Sequence, residues 1–69
     1  MHRVFFDTNA GNERDGYILW FNQSRDDIAK IPFEEREGAV IKLYMTDELE
    51  IVAHLRRDAA LDCWRGVPI

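Results

Sequence analysis

The sequence predicts a mainly-β fold: a small, strongly twisted antiparallel sheet, or an SH3-like half-barrel, of about five strands with one short helix. Three observations carry this expectation. Two C-terminal segments, 39–46 and 48–56, alternate apolar and polar residues with the period of a strand. Two N-terminal segments, Arg3–Asp7 and Gly16–Phe21, are rich in β-branched and aromatic residues. Only one segment, Ser24–Ile31, carries a helix signal bounded by start and stop residues.

The elements follow in chain order. "RVFFD" reads as a first strand. "GYILWF" reads as a second, apolar in both phases and therefore central or covered on both sides. In "SRDDIAKI", Ser24 is placed to cap the first turn and Asp27 to complete a box-like cap, while Ile28 and Ile31 share the buried face. Pro32 stops the helix. "PFEEREG" suits one further turn, opened by Pro32 and closed by Gly38.

From Ala39 the odd residues Ala39, Ile41, Leu43 and Met45 form one face; Leu49, Ile51, Ala53 and Leu55 continue it. A three-residue loop, Thr46-Asp47-Glu48, sets Leu43 opposite Ile51 and Ile41 opposite Ala53, so every odd side chain faces one side. A turn at Arg57–Ala60 then leads into a last strand over Leu61–Arg65, with Leu61 and Cys63 inward. Pro68 is expected to keep the tail from full pairing. The competing expectation is an α+β fold with a C-terminal helix over the sheet. Leu49, Val52, Ala53, Ala60, Cys63 and Trp64 also form a helical stripe, but Arg56 interrupts it and Ile51, Leu55 and Leu61 fall outside.

Sixty-nine residues allow a single domain spanning 1–69. A chain this short buries only about 60% of its unfolded surface, which leaves little room for an enclosed pocket but allows a shallow surface site. The net charge of −4 argues against a nucleic-acid binder that depends on broad phosphate neutralisation. One cysteine rules out an internal disulfide, and no apolar run reaches membrane-spanning length. A soluble, acidic, cytoplasmic protein is the expectation.

"DTNAGNERDG" (residues 7–16) opens like a calcium loop, with oxygen-bearing side chains at Asp7 and Asn9. The pattern then fails: Gly11 stands where a third ligand belongs, Asn12 where glycine belongs, and Ile18 where a bidentate glutamate belongs. As a turn the stretch is well made. Cys63 and His54 are expected on opposite faces of the sheet, which disfavours a thiol–imidazole pair. Neither a zinc ligand set nor a phosphate loop is present in the sequence. No metal, cofactor or catalytic residue is therefore assigned, and Glu34, Glu35 and Glu37 read as a solvated charge run.

The remaining candidate is the even-numbered face, where Lys42, Tyr44, His54, Arg56 and Trp64 combine basic and aromatic groups. The best function reading is a small non-catalytic binding or accessory module acting through protein contacts, homodimerisation through an exposed strand edge included. The alternative is a single-stranded RNA-binding domain using the same face.

Overall fold

In the computed structural model, which describes residues 1–46 and 49–69, six strands form one sheet with a single α-helix. The strands are β1 (Arg3–Phe5), β2 (Gly11–Asn12), β3 (Gly16–Ile18), β4 (Val40–Tyr44), β5 (Glu50–Asp58) and β6 (Cys63–Pro68). The helix α1 (Asn22–Ala29) follows β3, and a short 3-10 turn (Phe33–Glu35) precedes β4. The strand order is β1-β4-β5-β6-β3-β2.

The mainly-β expectation holds, with a mixed rather than wholly antiparallel sheet. β1 runs parallel to β4, and the other four pairings are antiparallel. A parallel neighbour needs a long crossover; here the chain travels through β2, β3 and α1 before β4 returns beside β1. The additional strand is β2, a two-residue piece inside the segment read as a turn. That segment is otherwise a turn. Asp7 Oδ1 accepts from Asn9 N–H, Asn12 Oδ1 accepts from Asp15 N–H, and Gly11 and Gly16 hold φ of 94° and 102°.

The central register matches the sequence expectation: Leu43 lies opposite Ile51 and Ile41 opposite Ala53. Met45 N–H donates to Leu49 O at the end of the ladder. Thr46 is described, but Asp47 and Glu48 of the expected loop lie outside the described residues. The C-terminal helix alternative fails because residues 50–58 and 63–68 are both strands. Period-two burial outweighs the helical stripe here: Ala53 and Leu55 are fully buried, while Val52 before them and Arg56 after them are exposed.

Ile41, Leu43, Ala53 and Leu55 meet Val4, Phe6, Tyr17, Leu19, Ile28 and Ile31 in one core. Burying each large side chain stabilises the fold by about 1.5–3 kcal/mol. Leu43 packs so tightly on β6 that a Cβ at Gly66 would stand 2.7 Å from its Cδ2.

Several boundaries differ from expectation. β3 ends at Ile18, and Trp20 is 53% exposed rather than covered. Leu19 N–H still bonds Trp64 O, but the chain then turns toward α1. Leu49 is also exposed, at the ladder's end. β5 continues through Asp58, so the turn is Ala59–Asp62 and exposed Leu61 sits in it. β6 includes Pro68, which pairs with Ala53. The nitrogen of Pro68 is on the side of β6 that faces β3, and β3 pairs no further along β6 than Gly66, so no ladder donor is lost.

The helix stops before Pro32 and Gly38 closes the following turn at φ 81°, as the sequence indicates. Its start differs. Phe21 is the N-cap and makes no side-chain cap bond; Ser24 lies within the helix and is fully buried. Ser24 Oγ donates to Phe5 O at 2.7 Å, and Asp27 Oδ2 accepts from Phe5 N–H at 3.0 Å. Spaced by three, the two side chains share one helix face. Together they satisfy both outward backbone groups of Phe5 on edge strand β1.

Ser24→Ala is expected to leave the Phe5 carbonyl without its donor and to lower stability by about 1–3 kcal/mol in urea unfolding. Unchanged stability would remove the clamp from the account.

Candidate functional site

The five residues of the sequence-based candidate do not form one open surface. Lys42 Nζ lies 3.7 Å from Glu50. Tyr44 OH accepts from Gln23 Nε2 and donates to Asp27 Oδ2, with the Arg3 guanidinium 4.4 Å from its ring centre. His54 Nδ1 is 3.3 Å from Gly38 O. Arg56 reaches Glu37, whose second oxygen accepts the backbone N–H of Arg57. Glu37 is thus a cross-link rather than part of a solvated run.

Trp64 is on the other side. In the β4–β5 ladder odd residues pair with odd, but in β5–β6 odd pairs with even: Leu55 faces Gly66 and Arg57 faces Trp64. The four-residue turn Ala59–Asp62 inverts the parity, so Trp64 packs against the core beside Leu55 instead of continuing the Lys42 face. The same inversion corrects the reading of Cys63. It pairs with Asp58, in the phase of Arg56 and His54 rather than the opposite one. Four residues of strand, roughly 13 Å, separate its pair from that of His54. Distance, not opposite faces, keeps the thiol and imidazole apart.

A concavity lies elsewhere: a half-open cleft of about 560 Å³ between α1 and the β5–β6 hairpin. Leu19, Ile28 and Cys63 are among the residues at its apolar side; Trp20 and Trp64 contribute aromatic surface. Arg25 comes from α1, Arg36 from the segment after it, and Arg57 from β5. Three of the chain's nine basic residues therefore line one cleft, against one acidic lining residue among the described residues, Asp62.

The three arginines are held differently. Arg36 Nε donates to Ile31 O at 2.9 Å, and its guanidinium lies over the Phe33 ring. Arg57 donates to Asp62 Oδ1 and stands 5.5 Å from the Trp64 ring centre. Among the described residues, Arg25 has neither an ion pair nor a side-chain hydrogen bond. Arginine forks bind carboxylate and phosphate oxygens in pairs and stack on aromatic planes, so this set suits an anion attached to an apolar body.

Behind the cleft, Arg65 Nε donates to Asp58 Oδ2 at 2.7 Å and its Nη1 to Gly16 O at 2.9 Å, tying the hairpin to β3. The Arg65 bond, with help from Leu61 N–H, holds the Asp58 carboxyl below the usual carboxylate range. Burial pushes the Cys63 thiol up, reinforced by the negative charge of Asp58. A raised thiol is a poor nucleophile at neutral pH.

Sequence reasoning missed Trp20, Arg25, Arg36 and Arg57. They share no spacing, and the cleft exists only where three separate segments meet. Among the described residues, no helix is long and apolar enough to cross a membrane. No family model matches the chain, and no curated protein or solved structure is significantly similar to it.

Two outcomes are expected. Asp58 has a lowered folded pKa, so its stabilisation is present above the unfolded value near pH 3.9 and is lost as pH falls through the lower folded value. Denaturation curves from pH 7 to 2 should show wild type above Asp58→Asn at neutral pH, with the gap closing below about pH 4. A gap that widens in acid contradicts the assignment. Cys63 should react with a thiol reagent more slowly than a free cysteine at pH 8 and reach the free rate in denaturant.

Proposed function

We propose that this protein is a small non-catalytic binding module that acts through contacts with another protein, and that the cleft between α1 and the β5–β6 hairpin is its docking surface. The observation that carries this reading is the local reversal of charge. A chain with net charge −4 gathers three arginines and two tryptophans in one half-open cleft. Tryptophan and arginine are the residues on which interface energy most often concentrates. Trp20 is exposed and, among the described residues, has no aromatic partner.

The unreactive character expected of Cys63 supports a binding role over catalysis. The single-stranded RNA reading draws less support. On the even face Lys42 and Arg56 are each paired with a glutamate, and strand binding needs several cations free for phosphates.

The expected result is selective. Trp20→Ala combined with Arg25→Ala should abolish recovery of the partner from native extract while leaving the circular dichroism spectrum unchanged. Lys42→Ala with Arg56→Ala should recover it at wild-type yield. The reverse pattern would place the contact surface on the sheet face.

A further inference from the structure

We infer that Asp62 is a built-in occupant of the cleft, and that the cleft takes an acidic peptide segment whose carboxylate displaces Asp62 from Arg57 while a neighbouring apolar side chain lies on Trp20 and Trp64. This deepens the docking reading above and rests on it.

The position of Asp62 is the first ground. Among the described residues it is the only acidic side chain lining the cleft, it accepts from Arg57, and that side chain is 90% exposed. An exposed ion pair contributes at most about 1 kcal/mol, so an incoming carboxylate displaces it at little cost. Asp62 is also the only non-glycine residue with positive φ among the described residues, at 52°. Glycine, asparagine and aspartate take that conformation more readily than other side chains, so a turn accommodates aspartate there. An aspartate there places its carboxylate at the mouth of the cleft, over the cation it meets.

The capacity of the cleft is the second ground. Arg36 is engaged by Ile31 O and Arg57 by Asp62, which leaves Arg25 alone open. That suits one or two carboxylates. It does not suit a phosphate chain, for which several free cations are needed. Arginine forks match carboxylates in a planar, paired geometry, and the Trp20 and Trp64 rings accept an aliphatic or aromatic neighbour.

The test titrates the full chain with a short peptide alternating glutamate and phenylalanine. Its glutamine counterpart and a five-nucleotide oligouridine are run in parallel. The readouts are the indole N–H signals of Trp20 and Trp64 and the dissociation constant. Both indoles should shift with the glutamate peptide only. Asp62→Asn should tighten that binding about two- to fivefold, and Arg25→Ala should weaken it about tenfold. If the peptide binds the cleft but Asp62→Asn leaves affinity unchanged or lowers it, the displacement idea falls and the docking surface stands. If neither indole moves, or the oligouridine or the glutamine peptide binds as well, the acidic-peptide assignment falls. Shifts centred on Val40 and Val52 instead would overturn the docking reading itself.

Discussion

The short link between the two outermost strands governs the shape of the molecule. β1 and β2 stand at opposite edges of the sheet, yet only Phe6–Ala10 separates them in the chain. Six strands laid flat would place the edges roughly 24 Å apart at about 4.8 Å per spacing. The steps from Phe5 to Gly11 reach at most roughly 20–22 Å fully extended, and the turn that closes Ala10 N–H on Asp7 O shortens them further. A flat sheet is therefore unreachable, and the strands curl until Phe6 meets Tyr17 with ring centres 5.0 Å apart. The inner face becomes the core.

Curling leaves one edge to be finished. Phe5 on β1 points a donor and an acceptor away from the sheet, and α1 answers with one acceptor and one donor, Asp27 and Ser24. The same carboxylate receives the Tyr44 hydroxyl, so the helix is fastened to β1 and β4 together. Ile28, from that helix, and Ile31, just after it, then reach the core. Because the helix is anchored at this edge, a second boundary opens on its other side, where Arg25 and Ile28 face the β5–β6 hairpin across the cleft. The cleft is a consequence of how the edge strand is capped.

That arrangement explains the division of charges. On the sheet face, cations are neutralised within the fold: Lys42 and Arg3 by Glu50, Arg56 by Glu37. In the cleft, among the described residues, the exposed carboxylate of Asp62 pairs with one of three guanidinium groups, that of Arg57. The first set contributes to cross-strand order; the second is chemically unfinished. Surface composition alone does not distinguish them, because the same residue types serve both.

From the sequence alone came the mainly-β class, the helix stop at Pro32, the turn around Gly11 and Gly16, and the Leu43–Ile51 register. Each rests on near-neighbour physics: side chains alternate across a strand, proline breaks a helix, and glycine takes positive φ. Tertiary structure decided the rest. The parallel pairing of β1 with β4 joins residues about forty apart. Ser24 and Asp27 carry groups equally able to cap their own helix or bind a distant strand, and burial at Phe5 chose the second. Trp64 lies on the other side because a four-residue turn, at the expected Arg57–Ala60 as at the observed Ala59–Asp62, inverts the parity of β6 against β5. Trp20, Arg25, Arg36 and Arg57 became neighbours only when the sheet closed, since proximity across three segments leaves no periodic mark in a chain.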